Sequence, residues 1–203
     1  MEHKKNEKYK NCSMFYVPCS MKKRGFTIIE LMIVISIVGA LLGIVISNLP
    51  QVKLQFALSR VTYTFAQNVR RAQDLALSSV PYKDSSGQEQ AVSGYGVFVD
   101  LKDDKKYLMY ADKQPGNQKY GGSDYIVETI DFSSDEPGVI IKELRKVNSQ
   151  NKASINFNPP NPDTAIENLN LGENAIEVVF ALASDLAITR TVSVSTSGLI
   201  EIK

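Results

Sequence analysis

The chain has 203 residues, enough for one domain or a domain with an appendage, and carries a formal net charge of +1. Its composition, 43% hydrophobic and 22% charged, excludes a disordered or collagen-like chain, and the near-neutral balance gives no general reason to expect nucleic acid as a partner. The one His (His3) and the two Cys (Cys12, Cys19) all fall in the first 19 positions. A zinc site, a disulfide scaffold and a Cys–His nucleophile are thereby excluded from residues 20–203.

Residues 1–25 hold seven Lys/Arg against two Glu. The 22 residues from Phe26 to Ser47 contain one charge, Glu30. As a helix this run reaches ~33 Å, enough to cross a hydrocarbon core of roughly 30 Å. A buried core helix is the soluble alternative. A secretory signal peptide is the other, but its apolar region is usually shorter and carries no carboxylate near its start. Lys22-Lys23-Arg24 precedes the run and only Lys53 lies near its far side. The positive-inside rule therefore puts residues 1–24 in the cytoplasm and residues 50–203 across the membrane.

Glu30 is anomalous, because a carboxylate inside an apolar span costs at least ~2.5 kcal/mol. A position near the cytoplasmic interface would make it tolerable, and a specific cationic partner would explain it. A cut between Gly25 and Phe26 would create such a partner, the α-amine of Phe26, about one helical turn from Glu30.

The run Lys-Lys-Arg-Gly25-Phe26-Thr27-Ile28-Ile29-Glu30-Leu31 resembles the cleavage and methylation signature of type IV prepilins and type II secretion pseudopilins. The resemblance implies that a membrane-embedded prepilin peptidase cuts after Gly25 and methylates the Phe26 amine. It also implies that Glu30 pairs with a neighbouring subunit's N-terminus during filament assembly. Glycine at 25 suits this role, since a residue without Cβ lets backbone fit closely into an enzyme. A leader as short as Met21-Lys-Lys-Arg-Gly25 would fit the family, so translation from Met21 and a 25-residue leader are both open.

Gly39 and Gly43 form a small-xxx-small pair, with Ser36, Ala40 and Ser47 at helical spacing. Such residues let helices approach closely in lipid, although glycine is also simply commoner in membrane helices. Pro50 is expected to kink or interrupt the helix. Beyond it, Leu54, Leu58, Val61, Phe65, Val69, Ala72 and Leu75 recur at spacings of three and four. They predict an amphipathic helix to about Ser79 that docks one stripe on a β-structured head. Arg70-Arg71 could contact nucleic acid, but two adjacent cations on a helix usually form a solvated face.

Residues 80–90 form a loop by composition. Strands are predicted at 94–100, 105–111, 125–131, 138–147, 153–158, 174–182, 186–195 and 198–202. Asp103-Asp104 turns the first pair into a hairpin and Ser195–Gly198 closes the last, where Val192 and Val194 face Ile200 and Ile202. Pro-rich 159–163 is a surface loop. This layout resembles the minor pseudopilin subgroup with the secretion H-type (FimT-like) head. Some members of that subgroup bind DNA through a basic C-terminal region, whereas Gly198-Leu-Ile-Glu-Ile-Lys has one acid and one base. Without residues 1–25 the chain keeps 23 − 7 = 16 basic and 22 − 2 = 20 acidic residues, a net of −4, which argues against nucleic acid.

Acidic residues cluster at 100–106 and 133–138, but neither stretch has the alternating ligands, central Gly and closing Glu of an EF-hand. Some pilins and pseudopilins carry calcium in a head loop, so both turns stay open beside the plainer reading as solvated turns. No Gly-rich phosphate loop with Lys and no Gly-x-Ser-x-Gly elbow is present. No catalytic residue, metal site, cofactor or small-molecule ligand is expected; the chain reads as an enzyme's substrate.

The expectation is an α+β, pilin-like chain. Residues 1–25 are a leader, 26–49 a transmembrane assembly helix, 50–80 an amphipathic helix and 81–203 an extracytoplasmic antiparallel β head. Its expected partners are the prepilin peptidase/methyltransferase, other pilin or pseudopilin subunits and an inner-membrane assembly platform. It would sit as a single-pass protein of the cytoplasmic (inner) membrane and then in a pilus or pseudopilus filament. A major pilin, a DNA-binding minor pilin of a competence system and an uncleaved membrane-anchored β-domain are the rivals.

Overall fold

The computed structural model describes residues 25–148, 151–159 and 164–203. His3, Cys12, Cys19, Met21, the Lys22–Arg24 cluster and most of the predicted loop 159–163 lie outside them. The fold is α+β: an N-terminal apolar helix followed by an amphipathic helical stretch and antiparallel sheets. The chain divides into two compact units, one up to Ile46 and one from Ser47 to Lys203.

In the first unit, residues 25–27 are non-helical and helix α1 (Ile28–Leu77) begins at Ile28. Every described side chain from Gly25 to Ile46 is exposed. The apolar stretch Ile28–Ile46 is long enough to span a bilayer and has no burial within the chain. A helix apolar on all sides needs lipid or a protein partner around it.

The rest of α1 belongs to the second unit. Pro50 lies inside the helix, so of the expected kink or interruption the interruption does not occur. Its ring removes one intrahelical hydrogen bond, a loss offset by the turns that follow, which bury Ala57, Leu58, Val61, Phe65, Ala66, Val69, Ala72 and Ala76. Leu54 and Leu75 pack half-buried at the ends of this stripe. The helix stops at Leu77 because Ser79 turns into the left-handed region (φ 48°). The Ser79 N–H then donates to Ala76 O at 2.9 Å and the Val80 N–H to Leu75 O at 3.3 Å, a Schellman arrangement that satisfies two terminal carbonyls.

A small ribbon pairs β1 (Tyr82–Lys83) with β2 (Glu89–Gln90) inside the stretch expected to be loop. Asp84 organises it, accepting from the backbone N–H groups of Ser86 and Gln88 and from the Gln90 amide. A five-stranded antiparallel sheet is then built from β3 (Val92–Asp100), β4 (Lys106–Lys113), β5 (Tyr125–Asp131), β7 (Lys152–Phe157) and β8 (Thr164–Ile166), in the order β5-β4-β3-β7-β8. A four-stranded sheet follows the order β11-β10-β9-β6, from β6 (Val139–Arg145), β9 (Ala175–Leu182), β10 (Asp185–Ser195) and β11 (Ile200–Ile202). All eight expected strands are present with ends shifted by up to two residues; β1, β2 and β8 are additional. Val192 faces Ile202 and Val194 faces Ile200, the register expected for the closing hairpin.

One apolar cluster draws on α1 and both sheets. Phe65 joins them: its ring lies 4.9 Å from Tyr107 of β4, edge-on, and 5.3 Å from Phe180 of β9. On the inner face of the five-stranded sheet stand Tyr95, Val97 and Val99 with Ala153, Ile155 and Phe157, as the period of two dictates. The other face is covered too. Tyr120 of the β4–β5 loop packs on Phe98 and Tyr110 at ring distances of 4.7 and 5.3 Å. Gly94 and Gly96 make room there, since a Cβ on Gly96 would stand 2.7 Å from the Tyr110 ring and 2.5 Å from the Ile155 carbonyl.

Candidate processing and assembly site

Gly25, Phe26 and Glu30 lie together at the start of α1. Thr27 is the helix cap: its hydroxyl accepts the Glu30 N–H at 3.2 Å and its carbonyl accepts the Leu31 N–H at 3.1 Å. The hydroxyl satisfies one of the donors that a helix N-terminus otherwise leaves open, and the carbonyl takes the first intrahelical bond. Gly25 and Phe26 stand outside the helix, and the Phe26 side chain is 83% exposed. Glu30 falls in the first helical turn, where the dipole favours a carboxylate.

A Cβ built on Gly25, Gly39 or Gly43 would meet nothing within 4 Å. Nothing in the described residues therefore uses the small size of Gly25 or Gly39. Ser36 turns its hydroxyl back to the Met32 carbonyl at 2.8 Å, which hides its polarity inside an apolar stretch.

Candidates in the head have structural roles. Arg71 bonds Glu128 of β5 at 2.6 Å, and Arg70 donates to the Ile200 carbonyl at 3.5 Å. The pair that read as a solvated face thus helps fasten α1 to both sheets, with Gln73 adding a bond to the Gly198 carbonyl at 3.1 Å. In the acidic stretch 100–106, Asp100 caps a 3-10 turn (Leu101–Asp103) and Asp103 pairs with Lys106 at 3.1 Å. In 133–138, Glu136 pairs with Arg60 at 2.8 Å across a cleft of about 400 Å³ floored by Val61, Tyr107, Ile130 and Phe132. Among the described residues no three His, Cys, Asp or Glu side chains group as metal ligands.

No sequence pattern pointed to Asp112, a buried carboxylate on the outer face of the five-stranded sheet. It accepts the N–H groups of Asn117 (3.3 Å) and Gln118 (2.9 Å) and the Asn156 amide (3.3 Å). Burial pushes its carboxyl above the ordinary aspartate value, and those donors only partly offset the effect. Its partners lie up to 44 positions away, so no local pattern announces it.

Residues 20–46 match the model of the prokaryotic N-terminal methylation motif. No curated protein and no solved structure matches the chain. The motif, found on an apolar N-terminal helix, supports the type IV pilin and pseudopilin family, whose members are structural subunits and not enzymes. It implies processing by a prepilin peptidase and assembly with other pilin subunits, and the apolar helix fits a membrane-anchored pilin.

Proposed function

We propose that this chain is a minor pilin or pseudopilin of a type IV pilus or a type II secretion pseudopilus. Residues 1–25 are its leader, cut after Gly25; Phe26 becomes the methylated N-terminus, and residues 26–49 polymerise as the assembly helix. The observation that carries the reading is the methylation motif over residues 20–46 on a span with no burial of its own. Such a surface is stable only in lipid or among other helices. In that low-dielectric setting an unpaired carboxylate is costly, and Glu30 is compensated by the positive N-terminus of a neighbouring subunit. Gly39 and Gly43 let those helices approach. The cations at Lys22–Arg24 keep the N-terminus inside, and residues 50–80 and 81–203 form the extracytoplasmic helix and head. A head of the secretion H-type accords with the amphipathic stripe on α1 and the β10–β11 closing hairpin.

The test is intact-mass spectrometry of the chain recovered from membranes holding its peptidase. The expected product starts at Phe26 and carries one added methyl group, and Gly25→Leu remains full-length. A mature Phe26 terminus in Gly25→Leu, or an unprocessed parent chain, would overturn the assignment.

A further inference from the structure

One side chain caps the start of α1. Thr27 bonds the Glu30 N–H through its hydroxyl and the Leu31 N–H through its carbonyl. Thr27-Ile28-Ile29-Glu30 also has the Thr-x-x-Glu order of a capping box. An N-cap residue holds non-helical backbone angles, so the helix cannot extend upstream through it. The Gly25–Phe26 peptide accordingly precedes the helix, with an exposed Phe26 and, among the described residues, nothing within 4 Å of a Cβ built on Gly25.

We propose that Thr27 is a positioning residue for leader removal. Its cap fixes the helix boundary directly after Phe26, so the Gly25–Phe26 peptide meets a peptidase as extended chain and not as a helical turn. The inference rests on the processing reading above and adds a residue to it. Hydrolysis adds one water across the bond: the Gly25 carbonyl carbon takes the hydroxyl, the C–N bond breaks and the Phe26 nitrogen takes the proton. Attack needs open access to the Gly25 carbonyl carbon. Helical backbone would restrict that access, because its peptide units are wrapped in successive turns and carbonyls past the start bond the N–H four residues on. Without an acceptor at position 27 the helix start drifts by a residue or two, and the fraction of chains presenting the bond correctly falls.

The experiment follows cleavage of the full chain over time in membranes containing the peptidase, comparing the parent with Thr27→Ser, Thr27→Asn, Thr27→Val and Thr27→Ala. Serine and asparagine are cap-competent although they differ in shape, whereas valine copies the shape of threonine without an acceptor. The expected result is parental cleavage, within about twofold, for serine and asparagine, and cleavage about fivefold slower for valine and alanine. Parental cleavage of Thr27→Val, or slowing of Thr27→Asn to the alanine rate, would show that the enzyme reads side-chain shape and would overturn the capping role. A parent chain left uncleaved would instead remove the processing reading itself.

Discussion

Phe65 is the test of how α1 is held in the head. It is fully buried and sits between Tyr107 and Phe180, which belong to different sheets. Phe65→Ala deletes a ring from a site walled by two others, and such truncations cost about 3–5 kcal/mol. Domains are stable by about 5–15 kcal/mol, so the change removes a large share of the total. At roughly 2–4 °C per kcal/mol for a domain of this size, the melting point should fall by roughly 6–20 °C. The assay is thermal and urea unfolding of the full chain in detergent, read by near-ultraviolet circular dichroism of its nine tyrosines. Phe56 lies on the same helix but is 65% exposed, so Phe56→Ala should change stability by no more than about 0.5 kcal/mol. A loss below about 1 kcal/mol for Phe65→Ala, or equal losses at both positions, would refute the idea that this ring clamps helix to sheets.

Three further outcomes are expected. Asp112→Asn should destabilise the head at neutral pH by about 1–3 kcal/mol, because one amide oxygen cannot accept the three donors that converge on the carboxylate; urea midpoints check this, and an unchanged midpoint counts against the network. Burial raises the Glu177 carboxyl, but Lys146 (3.3 Å) and Lys203 (3.5 Å) more than offset it and hold it below its ordinary value of 4.5. Its stabilising contribution is therefore fully present above that value and is lost as pH falls below it, through the depressed folded value. Lys146→Ala should flatten the fall in melting point across that acid range, and a slope identical to the parent's would contradict the assignment. Glu30→Ala should leave cleavage and membrane insertion intact but abolish incorporation into filaments, measured by immunoblot of sheared filaments; normal incorporation removes its assembly role.

The strands legible in the sequence were those with alternating apolar residues between turn formers, such as Val192 and Val194 against Ile200 and Ile202. β8 escaped because three residues beside a Pro-rich stretch carry no period, and its pairing with β7 is a tertiary event. The β1–β2 ribbon escaped because Asp84, not apolar alternation, holds it. Pro50 misled in the other direction: local chemistry argues for a break, while burial of the succeeding turns outweighs one lost hydrogen bond. At the candidate site, the signature that holds Gly25, Phe26 and Glu30 was readable because it is contiguous. The Thr27 cap was equally local and written in the same residues, whereas the Asp112 cluster required the fold to bring position 156 to position 112.

The bonds from Arg70 to Ile200 and from Gln73 to Gly198 link positions 130 and 125 residues apart. On the proposed topology, a nascent chain crossing the membrane N-terminal helix first holds α1 long before its last hairpin emerges. The stripe can begin to pack on β4 and β9 as they form, but these two polar bonds wait until the final residues are made and β11 closes beside the helix. Loop-closure entropy makes so distant a pairing slow. The interval between anchoring and closure is when this chain is most open to proteases and to mispairing with its neighbours.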